Sequence, residues 1–298
     1  MTEECKMQNA KCKIGRLVLS TAFCILHFAF CISALAQDAY TPNNPIPLGD
    51  NLLTLPTSHI PQEGTWELRF THRFNGSIDQ GNGSSRVHNL FGLDSNADVG
   101  IGFSWAPRRD LQFSMLRSNA MDDIELAAKY VVVQQAKAIP ISAAIRVGGD
   151  WRTEQNLSDR STFFGQVILS HQFGKRVEVF AVPTYATDAG RFVSADASTA
   201  LFKHAFNVPI GAAFLFRPAL SVVGEVIPRN HDLPDNVHAD FGWAIGLKRA
   251  IGGHYFEILV TDSPATHVDQ YVTSTYQGSP LNRGDLHLGF NIERRFGK

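Results

Sequence analysis

Five stretches of this chain alternate apolar and polar residues for nine or more positions, and none of them carries a helical period. In TWELRFTHRF, Trp66, Leu68, Phe70 and Phe74 stand against Glu67, Arg69, Thr71 and Arg73. IELAAKYVV, IPISAAIRVGGDW, DFGWAIGLK and GDLHLGFNIERRF repeat the device. A period of two is the signature of a strand whose faces meet different surroundings. Softer versions lie near 97–107, 110–118, 160–173, 176–187, 203–217, 219–228 and 253–262, which brings the expected total to twelve strands. Pro183 and Pro209 interrupt two of these, and each should mark a bulge or a strand end, because proline cannot donate to a ladder.

The connections fall into two classes. Pro107–Asp110, Gln134–Lys137, Gly174–Lys175, Arg217–Pro218 and Gly252–Gly253 are tight turns. Between them lie Asn75–Asn96, Gln155–Asp159, Asp188–Leu201, Asn230–Val237 and Ser263–Asn282, mostly long and polar, with only Asn119–Asp122 short on that side. Short turns at one end and long loops at the other are the layout of a transmembrane barrel. In a sandwich the apolar rows would pack inward; in a lipid-embedded barrel they face out and the polar rows line the lumen. The expected fold is therefore all-β: a closed antiparallel up-and-down transmembrane β-barrel of about 12 strands, with the first strand pairing with the last.

The N-terminus supports export. Lys11, Lys13 and Arg16 precede an apolar run from Leu17 to Ile32, and Ala34-Leu35-Ala36 supplies a small-x-small cleavage site. All four cysteines lie within the first 31 residues, so the exported protein would hold neither disulfides nor thiol ligands. The expected division is a signal peptide over 1–36, a periplasmic segment over 37–63 that hangs below the barrel or tucks into it, and the barrel over 64–298. Met7 is an alternative start. The balance of 27 basic and 28 acidic residues offers no face for nucleic acid.

LPTSHIPQEGTWELRFTHRF, HNLFGLDSNADVGIGF, GLKRAIGGHYFEILVTDS and GDLHLGFNIERRF together resemble an uncharacterised family of bacterial outer-membrane β-barrels. The Gly252-Gly253-His254-x-Phe256 turn and Leu90–Asp94 are the more specific elements. The resemblance implies a fold and a place in the outer membrane of a Gram-negative bacterium, and carries no substrate, cofactor or catalytic residue with it.

By strand parity Glu67, Arg69, Arg73, Glu125, Lys129, Arg146, Asp150, Glu225, Asp240, Lys248, Asp285, His287 and Glu293 share the inner face. They could form a constriction that filters small polar solutes, or a salt-bridged filling. The first reading makes the protein a narrow porin-like channel. The second makes it a filled structural or docking barrel whose partner binds the loops or the N-terminal segment. Asp94, Asn96 and Asp98 alternate as in a calcium loop, but Trp105 stands where the closing glutamate belongs, so a turn is expected and no metal or cofactor. Leu90, Phe91 and Leu93 could fold inward or cap the barrel lip. No catalytic motif is present, and Ser170 and His171 point to opposite faces, so an outer-membrane lipid hydrolase is the least favoured reading and no enzyme is expected. Outer-membrane lipid is the one partner the pattern demands.

Overall fold

The computed structural model describes residues 46–79, 81–153, 161–189, 202–228, 239–263, 265–273, 275–276 and 286–297. The signal-peptide assignment therefore lies outside the described residues. The wall begins with β1 (Trp66–Ser77), β2 (Ala97–Arg108), β3 (Leu111–Ser118), β4 (Asp123–Val133), β5 (Ser142–Arg152) and β6 (Ser161–Phe173). It continues through β7 (Val177–Ala181), β8 (Thr184–Ala189), β9 (Phe202–Asn207), β10 (Ile210–Arg217) and β11 (Leu220–Ile227). After the short β12 (Ala239–Asp240) it resumes with β13 (Gly242–Ile251) and β14 (His254–Thr261), and after β15 (Thr275–Tyr276) it closes with β16 (His287–Phe296).

Sequential neighbours pair antiparallel, β5 joins β6, and β1 pairs with both β2 and β16. The ring therefore closes on itself, as it must where hydrocarbon offers backbone groups no other partner. β7 and β8 are two halves of one wall strand broken at Val182-Pro183, since both pair with β6. β9 and β10 are likewise broken at Val208-Pro209. Counting each pair once gives the closed barrel of 12 antiparallel strands. Proline's missing N–H accounts for both breaks. β12 and β15 form a separate two-stranded ribbon on the long-loop side.

The burial pattern settles which row faces where. Along β1, Trp66 and Leu68 are exposed, whereas Glu67, Thr71 and Arg73 are buried. Elsewhere Phe241 and Ile258 are 57% and 68% exposed, while Lys248 and Glu257, one row over, are at 1% and 2%. Bulky apolar side chains form the outer surface, and charges fill the interior. Trp66, Phe103, Trp105 and Phe113 cluster outside the short-turn end, with Trp66 and Trp105 stacked at 5.1 Å. Phe74 and Phe290 enclose His72 toward the other end. Such aromatic girdles sit at membrane interfaces. Among the described residues no helix is long and apolar enough to cross a membrane.

Leu90, Phe91 and Leu93 are exposed, so this part of the first long loop stands at the lip. It follows α1 (Gly83–His88), which Asn82 caps by accepting from Ser85 N at 3.0 Å.

Ile258 lies mid-strand on β14, so Ile258→Arg would place a cation in hydrocarbon at a cost of roughly 2–4 kcal/mol. The expected result is a lower urea midpoint for the heat-modifiable folded band. An unchanged midpoint would mean this row does not meet lipid.

Candidate functional site

The lumen of this barrel is occupied from both ends. Residues 46–60 form a hairpin-like stopper, tightened by the Asn51–Pro56 bridge and by Leu52 N donating to Leu55 O at 2.8 Å. The stopper adjoins β1 at the short-turn end, where Gly64 N donates to Ala106 O at 2.8 Å. Ile46, Leu48, Leu52, Leu53 and Leu55 are each 0–1% exposed. Gly211 leaves room for one of them: a Cβ there would stand 2.2 Å from Leu52 Cδ1. Gly246, whose added Cβ would stand 3.1 Å from Leu53 Cδ2, makes room in the same way.

A segment without its own ladder must still satisfy its amides and carbonyls. The wall does this with charge. Glu225 Oε1 accepts from three consecutive amides, Leu53 (2.8 Å), Thr54 (2.9 Å) and Leu55 (2.9 Å). Three successive N–H groups around one anion form a nest. Lys248 Nζ donates to Asn51 O (2.7 Å) and Leu52 O (3.1 Å). Lys129 Nζ donates to His59 O (2.7 Å), and Leu53 O accepts from Arg69 (2.8 Å) and Asn291 (2.9 Å). Side chains of the stopper are held as well. Asp50 accepts from Arg295 and Ser104 (both 3.1 Å) and from Gln112; Ser58 Oγ meets Ser170 Oγ at 2.7 Å; His59 Nε2 meets Glu178 at 2.9 Å.

From the long-loop end, residues 265–273 fold in with α2 (Val268–Tyr271), whose residues are all buried. Glu125 Oε2 accepts from Val268 N at 3.2 Å, Arg152 pairs with Asp269, and Gln166 Nε2 donates to the Tyr271 hydroxyl at 2.7 Å. Burial pushes the Tyr271 phenol well up, so it stays protonated. Between stopper and loop a cavity of about 60 Å³ remains, lined by Asp50, Glu67, Arg69, Lys129, Arg146 and Tyr271 among others. It has room for only a few waters.

The residues expected on the inner face are tied into this filling or into one another. Glu67 accepts from Arg295 (2.6 Å), Arg69 reaches Glu293 (3.2 Å), Arg73 donates to Asn291 Oδ1 (2.7 Å), and Arg146 pairs with Glu125. Lys248 pairs with Glu257 at 2.5 Å and lies 3.9 Å from Glu293. His287 Nδ1 donates to Phe74 O at 3.0 Å. Asp150 is the exception: it is buried, and neither of its oxygens has a hydrogen-bond partner. The side chain of Asp240 and the whole of Asp285 lie outside the described residues. Sequence parity passed over Asp98, Asp123 and Glu257, which share the buried face, and gave no hint of Asp50, His59 or His267. Asp123 could have been read from its i, i+2 spacing to Glu125.

Ser170 faces inward to Ser58, and His171 donates outward to Pro140 O. They do not form a pair. Asp94 is exposed while Asp98 is buried at the start of β2, so the alternating acidic stretch makes no ion-binding loop.

The family model described as Membrane bound beta barrel domain (DUF5777) matches residues 49–296. The chain belongs to that family. Its matched span starts inside the stopper, so the family domain includes residues of the lumenal segment as well as the wall. No curated protein matches the chain in sequence. Among solved structures it is similar to the NanC porin, at 8% identity over 78% of this chain and 100% of that one, with a TM-score of 0.45. An outer-membrane channel from Pseudomonas putida F1 is similar at 11% identity over 80% and 97%, TM-score 0.45. The outer-membrane phospholipase of Salmonella typhi is similar at 11% over 78% and 90%, TM-score 0.42.

Proposed function

We propose that this family member is a Gram-negative outer-membrane barrel, exported by its leader, that is closed at rest and passes small polar solutes once residues 46–60 withdraw. The observation that carries this reading is the way the stopper is held. Its backbone is bound by wall charges, and those same groups would line a polar, hydrated pore after it leaves. Arg69, Arg73, Glu225 and Lys248 would then form the constriction, with Glu67, Glu125, Lys129, Arg146 and Glu293 further along. Mixed sign argues for weak selectivity between anions and cations. No catalytic role belongs to this reading.

Planar-bilayer recording tests it. The intact protein should be silent, and a variant lacking residues 46–60 should show discrete open steps. Steps in the intact protein would contradict closure at rest. If the deletion variant is also silent but conducts when residues 265–273 are removed too, the inward loop is a second gate. Silence of both variants supports the alternative, a permanently filled barrel that acts by docking a partner.

A further inference from the structure

The strongest unassigned chemistry lies where the inward loop meets the wall. Asp123 opens β4, Asp150 lies on β5 beside Glu125 in the ladder, and His267 immediately precedes α2. Ligand atoms of these three side chains lie within 4.8 Å of one another. All three residues are at 0–1% exposure. The four carboxylate oxygens and His267 Nε2 have no hydrogen-bond partner.

Arg152 stands opposite Asp123 in the ladder, but no guanidinium donates a hydrogen bond to Asp123 or Asp150. Arg146 is engaged by Glu125, and Arg152 by Asp269. Two buried carboxylates beside one imidazole, with no hydrogen bond made among them, are expensive unless something positive sits between. The imidazole is set up to be a ligand. Its Nδ1 lies 3.5 Å from Ser118 Oγ and 3.4 Å from Thr266 Oγ1, hydroxyls able to accept a hydrogen bond from Nδ1–H and so favour the tautomer that leaves Nε2 with its lone pair.

We propose that Asp123, Asp150 and His267 bind one divalent metal ion of the zinc or manganese type, which pins the inward loop to β4 and β5. One nitrogen and two carboxylates suit a borderline cation; calcium and magnesium prefer all-oxygen shells. The ion would neutralise both carboxylates and join a loop to the wall at a point where neither donates to the other. Such a site holds whether or not the stopper acts as a gate.

The test uses the full chain in detergent, stripped with EDTA, dialysed against ZnCl2, MnCl2 or CaCl2, and assayed for bound metal by mass spectrometry. About one zinc or manganese ion per folded chain is expected, with calcium failing to compete at equal concentration. His267→Ala and the Asp123→Asn/Asp150→Asn double variant should each weaken binding beyond the ~10–100-fold that loss of an outer-shell partner costs. Both should remain heat-modifiable, because the Asn variant is isosteric and removes buried charge. His88→Ala, on the exposed α1, should bind as the parent does. Absence of metal from the parent overturns the proposal and leaves carboxylates that share protons; undiminished binding by His267→Ala, or calcium binding in place of zinc, overturns it equally.

Discussion

Glu225→Ala is expected to release the stopper. Three consecutive amides, of Leu53, Thr54 and Leu55, lose their acceptor at once, and two of those residues are completely buried. A buried polar group left unmade costs about 1–3 kcal/mol. Even the low end of that range for three groups gives roughly 3 kcal/mol, and each 1.36 kcal/mol is about tenfold in population. The undocked fraction should rise more than about a hundredfold. Proteolysis within 46–60 reports it: cleavage of the variant should be fast while the barrel stays resistant and heat-modifiable. Glu225→Gln keeps an acceptor oxygen and loses the charge assistance, so it should fall between. A protease-resistant Ala variant would show that the nest does not hold the segment.

The second large effect is expected at Lys248. Its ammonium serves Glu257 at 2.5 Å, Glu293 at 3.9 Å and two stopper carbonyls, and the three charged side chains are at zero exposure. Lys248→Met would leave two buried carboxylates facing each other across β14 and β16. Breaking a buried pair from one side costs about 3–5 kcal/mol. The urea midpoint of the folded band should drop accordingly, and adding Glu257→Leu should restore part of the loss, because removing both charges is far cheaper than removing one. A double variant no more stable than Lys248→Met would mean the pair is not coupled.

The wall was legible in the sequence and its contents were not. Strand parity repeats every two residues whatever the barrel holds, so Trp66, Phe241 and Ile258 could be assigned to one face and Glu67, Lys248 and Glu293 to the other. Proline's missing donor marked the two interrupted strands correctly at Pro183 and Pro209. What occupies the lumen has no periodicity. Residues 46–60 bind through their backbone to Glu225, Lys129 and Lys248, and backbone groups are the same in every sequence. Two hints were present: Leu52, Leu53 and Leu55 form an apolar knot in a polar N-terminal stretch, and Gly211 and Ala213 leave the inward row of β10 without bulk at that level. Neither becomes readable until the segment is seen against the wall. His267 is harder still, because it reaches Asp123 and Asp150 only by the inward turn of a long loop.

The proposed gate, its release and the proposed pore lining all require the N-terminal segment to lie inside the ring of strands. Ser58 Oγ and Ser170 Oγ are 2.7 Å apart, and the chain holds no cysteine after position 31. The Ser58→Cys/Ser170→Cys variant, isolated from membranes and oxidised, should yield a disulfide-linked peptide joining positions 58 and 170 by mass spectrometry, with neither introduced thiol open to a bulky water-soluble maleimide beforehand. Rapid maleimide labelling at position 58 with no linked peptide would place the segment outside the barrel and contradict the account.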